Sequence, residues 1–236
     1  MAYLRGPLGL FLLLLCGYTG STLATPLPAS VFINEFHYDN DGTDIGEFVE
    51  LVGASGTDLN GWQLLLYNGS SGASYGQVAL SGVLADDTGT GFGFHVVSFA
   101  SNGLQNGVAD GLALLDADGT VLEFLSYEGV LTATNGGAVG LVSRDVLVSE
   151  SSATPVNASL QRVGQGSLST DFVWQALLVG TPGNRNQNQS LLTGSVPLSI
   201  GPPWPLWIAA LLWLARRRGA GKYCAAFRRQ AGAALT

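Results

Sequence analysis

Six carboxylates fall within sixteen positions of one stretch, "VFINEFHYDNDGTDIGEFVEL", Val31 to Leu51: Glu35, Asp39, Asp41, Asp44, Glu47 and Glu50. Two chemistries are open to such a group. Asp39, Asp41, Asp44 and Glu47 lie in nine consecutive positions with Asn40 and backbone carbonyls among them. Calcium takes about six to eight hard oxygens from flexible loops of this kind. Calcium is expected ahead of zinc, because the loop offers neither a thiolate nor a pair of histidines. Gly42 and the closing Glu47 stand at the wrong offsets for an EF-hand, and the alternative is a solvated turn whose Asn and Asp serve its geometry.

The second chemistry is acid–base work by paired carboxylates. Side chains alternate along a strand, so Val31, Ile33 and Glu35 are expected on one face, with Phe32, Asn34 and Phe36 on the other. Glu47 and Val49 would likewise oppose Phe48 and Glu50. Glu35 then meets Glu47 or Glu50 near the strand ends, where two acids more often pair with a base or an ion than catalyse. Glu35, His37 and Glu50 are accordingly candidate binding residues, and no catalytic residue is assigned. His37 is also readable as a strand-end residue bonded to a neighbour.

Elsewhere the chemistry is sparse. The second histidine, His95, sits in "GFGFHVVSFA", with no HExxH, serine elbow or phosphate-cradling loop. Trp62 and Trp174 lie inside apolar runs and are expected in a core. Tyr67 and Tyr75 border Gly-rich loops and are expected to be exposed, where aromatics could meet glycans or proteins. Asn68, Asn157 and Asn188 each begin an N-x-Ser sequon, meaningful only in a host that glycosylates exports.

The elements that must position these residues read as strands. Apolar and β-branched runs of five to eight residues alternate with Gly, Asn, Asp and Ser clusters. Strands are expected near 31–36, 47–52, 62–67, 77–80, 94–99, 111–115, 121–127, 138–142, 159–163 and 172–175. "YNGSSG" from Tyr67 and "DADG" from Asp116 supply turn residues, and "LLDADGTVLEFL" reads as one hairpin. No stretch of this middle region sustains a helical period, so the fold class is all-β, a sandwich or barrel.

Charge and cysteine narrow the partners. All 17 acids lie between Glu35 and Asp171, while residues 25–195 hold three bases, Arg144, Arg162 and Arg185; three minus seventeen gives −14. Such a region repels phosphate backbones, so direct nucleic-acid binding is not expected, and cations or basic partners are favoured. The only cysteines, Cys16 and Cys224, stand at the ends. The middle therefore has no disulfide and no cysteine ligand.

The ends carry a different signal. Residues 1–24 combine Arg5, the apolar run "LGLFLLLLC" and small residues ending in "TLA", the pattern of a signal peptide. Residues 188–195 read as a polar linker. Residues 196–215 are uncharged and contain Trp204, Trp207 and Trp213, and Arg216, Arg217 and Arg218 open a basic tail, 216–236, placed in the cytoplasm by its charge. Four prolines break the first half. A helix from Pro205 to Ala215 rises roughly 16 Å against a hydrocarbon thickness of about 30 Å, a short span. A tail that packs on the domain is the alternative.

The runs "INEFHYDNDGTDIGEFVEL", "GTDLNGWQLLLYNGSSG", "LQNGVADGLALLDADGTVLEFLSYEG", "SESSATPVNASLQRVGQG" and "DFVWQALLVGTPGNRN", in this order, resemble the bacterial lamin-tail domain over about residues 29–187. The resemblance implies an immunoglobulin-like β-sandwich over 25–187. It also implies an exported accessory module, non-catalytic, with a protein or cell-envelope partner. The domain would stand outside the cytoplasmic membrane, held by its C-terminal segment, or at the cell surface if that tail is processed. The tail is similar to tripartite sorting signals, although 18 residues continue past Arg218. An accessory role beside a secreted nuclease and a calcium-dependent adhesion domain are the alternatives.

Overall fold

The structure, a computed structural model, describes residues 30–192. The expected signal peptide, the apolar segment with Trp204, Trp207 and Trp213, and the basic tail with Arg216, Arg217 and Arg218 lie outside the described residues. Among those described, no helix is long and apolar enough to cross a membrane.

The Gly- and Asx-punctuated runs fold into eleven strands and one short 3-10 turn, Ser169–Asp171. The strands are β1 Val31–His37, β2 Phe48–Ala54, β3 Gln63–Tyr67, β4 Ser74–Ala79, β5 Phe92–Ser98 and β6 Gly111–Leu115. They continue with β7 Val121–Ser126, β8 Arg144–Asp145, β9 Ala158–Gly166, β10 Phe172–Val179 and β11 Gln189–Leu191. One sheet runs β10-β9-β1-β2-β5 with β11 added beside β9, and the other runs β4-β3-β6-β7-β8. Neighbours are antiparallel except β11 on β9 and β8 on β7.

The two sheets share one core. Ile33, Phe36, Val49, Leu51 and Leu160 from the first sheet pack with Leu64, Leu66, Leu112, Leu114 and Leu125 from the second. Trp62 and Trp174 pack half-buried against it, as their apolar settings suggest. The β6–β7 hairpin forms as expected: the Asp116 side chain accepts the Asp118 and Thr120 N–H groups, and Gly119 takes a φ of 79°. A left-handed φ of this kind favours glycine.

Three expectations change. Residues 138–142 are not a strand; Gly136 and Gly140, with positive φ, turn the chain, leaving one bridge between Thr132 and Val142. Tyr67 is fully buried and Tyr75 packs half-buried on the core, because the glycines let neighbouring loops close over them. The expected linker 188–195 contributes β11, so the folded domain runs beyond Gln187. Its Gln189 side chain is buried and donates to Asn34 Oδ1 rather than to water, a role that hydropathy does not reveal.

Candidate functional site

β1 does not alternate regularly. A bulge between Ile33 and Glu35 makes Asn34 an extra residue. Beyond it Phe36 joins Ile33 in the core, while Glu35 turns to the opposite face. The expected grouping of Glu35 with Val31 and Ile33 is thereby reversed, since one added residue flips every later side chain.

The flip sets Glu35 directly opposite Glu50 on β2, both fully buried. Cβ atoms of such cross-strand partners stand about 5 Å apart. Glu47 is not part of this pair. Over the two carboxyls lies the segment from Gly180 to Gln189. Thr181 N–H donates to Glu35 Oε1 at 2.7 Å, and Gly183 N–H donates to Glu50 Oε2 at 2.5 Å. The Asn186 amide donates to the backbone oxygens of Asn34 and Arg162, and the Gln189 amide donates to Asn34 Oδ1. The segment is thus a polar strap tied to the bulge.

Donors surround Glu35. Its Oε1 accepts from Ser159 Oγ, Gln161 Nε2 and Thr181 N. Its Oε2 lies 2.8 Å from Thr181 Oγ1, which in turn lies 3.2 Å from Asn186 Oδ1. The Asn186 orientation is fixed by the two carbonyls that its amide nitrogen serves. Thr181 has one hydroxyl proton to offer, and Glu35 Oε2 is the nearer of its two acceptors. Burial raises Glu35, against its hydrogen bonds, which favour the charged form. Burial pushes Glu50 up to about 8, against the bonds from Asn34 and Gly183 and with the help of Glu35's charge. Burial thus raises both facing carboxyls, and Glu50, at about 8, keeps its proton at neutral pH.

On the other side of the bulge a buried ion pair joins the sheets. Arg162 on β9 reaches Glu123 on β7 at 2.6 Å. Glu123 Oε2 accepts the Ile33 N–H, and Arg162 Nε donates to the Ile33 carbonyl. The guanidinium also lies 5.2 Å from the Phe32 ring centre and 4.7 Å from that of Trp174. A bulge leaves backbone groups without ladder partners, and a buried one must find them elsewhere. Here the ion pair supplies them.

The acidic loop takes its carboxylates in separate directions. Asp41 is exposed. Both oxygens of Glu47 accept backbone N–H groups, from Gly103 at 2.7 Å and Leu104 at 2.9 Å. Asp44 accepts from Asn40 N and Asn106 Nδ2. Asp39 is raised by burial and then by the charge of Asp44 beside it. Among the described residues no group of three or more His, Cys, Asp or Glu side chains could hold a metal ion. The expected calcium set of Asp39, Asp41, Asp44 and Glu47 does not converge into such a group: Asp41 faces solvent, and both oxygens of Glu47 are taken by backbone N–H groups.

His37 is wholly buried and bonds through Nδ1 to Glu150 at 2.8 Å. Glu150 also accepts Tyr38 N–H at 2.6 Å and Asp39 N–H at 3.0 Å. In the neutral imidazole, Nδ1 donates to Glu150 and Nε2 accepts from the Asn40 amide. Burial lowers the His37 pKa, but the bond and charge of Glu150, with Glu47 and Asp44, raise it overall. His95 on β5 has only the first of these influences and is lowered by burial.

The sequence set Glu35 beside Glu47 or Glu50, of which the structure pairs it with Glu50, and offered no sign of Glu123, Glu150, Thr181 and Asn186. Arg162 carried one signal, being a base inside an expected strand of a domain with only three bases. Comparison with protein-family models, with curated proteins and with solved structures finds no match.

Proposed function

We propose that the described domain is an immunoglobulin-like sandwich of the lamin-tail type, acting as an exported, non-catalytic interaction module. It is held at the cytoplasmic membrane by residues 196–215. The observation that carries this reading is the use made of the buried carboxylates. Glu35, Glu47, Glu50 and Glu150 each accept hydrogen bonds from the domain's own donors. Buried acids spent in this way stabilise a scaffold and leave binding to the surface.

That surface is acidic. Asp41, Asp58, Asp86 and Asp118 are exposed, while Arg162 is buried against Glu123. A basic protein or cell-envelope partner suits this charge, and a nucleic-acid backbone does not. The test compares the full chain with one lacking residues 196–236, by cell fractionation. Release of the shortened chain into the soluble exported fraction is the expected result. An unchanged membrane fraction overturns the tether, and recovery of the full chain inside the cell overturns export.

A further inference from the structure

Five Asn-Gly dipeptides occur in residues 30–192, at Asn60, Asn68, Asn102, Asn106 and Asn135. By sequence they are equivalent. Glycine leaves the backbone open, and the following N–H nitrogen can attack the asparagine side chain. In that reaction the glycine nitrogen loses its proton to base and bonds to the Asn Cγ. Nδ2 leaves as ammonia, and water opens the resulting succinimide to aspartate or isoaspartate.

The fold separates the five. Gly69 N–H donates to Asp110 Oδ1 and Gly107 N–H to Asp110 Oδ2, both at 2.7 Å. Gly103 N–H donates to Glu47 Oε2 at 2.7 Å. Asp110 is 1% exposed and Glu47 likewise, so water does not displace these bonds readily. A carboxylate acceptor also resists loss of the proton, since ionising the amide would set two negative charges together. The three asparagines are held too: Asn68 Oδ1 accepts Ser71 N–H, Asn102 Oδ1 accepts Asp44 N–H, and Asn106 Nδ2 donates to Asp44.

Asn60 and Asn135 lack this protection. Both are exposed, and among the described residues the N–H groups of Gly61 and Gly136 meet no acceptor. Asn60 occupies a tight turn closed by Trp62 N–H on the Leu59 carbonyl, and its side-chain amide is unbonded. Asn135 Oδ1 accepts Ser74 N–H at 2.7 Å much as Asn68 and Asn102 accept theirs, so what sets Asn135 apart is its exposure and the unbonded N–H of Gly136.

We propose that Asn60 and Asn135 are sites of spontaneous deamidation, and that Asp110 and Glu47 protect Asn68, Asn102 and Asn106. Each event adds a negative charge to a region already at −14. At Asn135 isoaspartate also lengthens the backbone beside the carbonyl that receives the Tyr67 hydroxyl.

Peptide mapping by mass spectrometry after incubation of the folded protein at mildly alkaline pH tests this. Deamidation confined to Asn60 and Asn135 is expected, with all five sites reacting at similar rates in urea. Modification of Asn68, Asn102 or Asn106 in the folded chain as fast as Asn60 overturns the proposal, as does persistence of Asn60 and Asn135. Asp110→Asn should add Asn68 or Asn106 to the reactive set. If that variant does not fold, Glu47→Gln makes the same test at Asn102, with circular dichroism confirming the fold.

Discussion

Glu123 and Arg162 stand on strands of opposite sheets, 2.6 Å apart, and between them bind both backbone polar groups of Ile33. The pair therefore ties the sheets and completes the bulge that sets the direction of Glu35. Removing one member leaves a buried charge and an orphaned backbone group. Arg162→Met or Glu123→Gln should each cost about 3–5 kcal/mol in urea unfolding. A loss below about 1 kcal/mol would show that the bulge finds other partners.

The facing carboxyls predict an unusual pH dependence. The folded Glu50 titrates near 8 against 4.5 for the ordinary group, so between these values the folded state holds a proton that the unfolded state has lost. Stability contributed by that proton is complete below 4.5 and is lost as pH rises toward 8, by up to a few kcal/mol. Glu50→Gln should remove this slope in denaturation measured from pH 5 to 8.5.

Glu35 offers a sharper contrast. A glutamine amide at the Oε2 position can donate to Thr181 Oγ1, and its oxygen keeps the other three donors. Glu35→Gln should thus change stability by less than about 1 kcal/mol at pH 7, whereas Glu35→Ala strands buried donors and should cost about 2–4 kcal/mol. Equal losses in the two variants would mean that Glu35 is ionised.

Glu150 holds His37, Tyr38 and Asp39 at once. Glu150→Gln should lower the His37 pKa, followed by NMR of the ring protons, because the raising influence of the carboxylate is lost while burial remains. Since His37 is raised in the folded state, its contribution to stability is full below its unfolded value of 6.5 and is lost as pH rises through the folded one. The variant should flatten that dependence. An unmoved His37 titration would place the raising charge elsewhere.

A chain cut after Gln187 loses β11 and the Gln189 amide bond to Asn34, whereas one cut after Leu192 keeps both. The shorter form should be less stable by about 2–3 kcal/mol, measured as a lower melting temperature and denaturant midpoint. Identical midpoints would restore residues 188–192 to a linker.

Much of the fold was legible in sequence because strand rhythm and turn residues are local. "LLDADGTVLEFL" specifies its own hairpin, since Asp116 and Gly119 fit only a turn there. The apolar runs fixed an all-β core, and the charge count fixed an acidic domain. The order of strands in two sheets, the placement of Tyr67 and the inclusion of Gln189 depend on segments far apart in the chain. Above all, strict alternation would have sent Glu35 toward the core. The extra residue Asn34 reverses that, and it is tolerated because Glu123, Arg162 and Asn186, 90 to 152 positions from the Ile33 and Asn34 groups they bind, satisfy the backbone it leaves open. Local pattern determined which residues are strand and turn. Only tertiary structure decided which carboxyls face each other, because buried polar groups choose their partners across the whole fold.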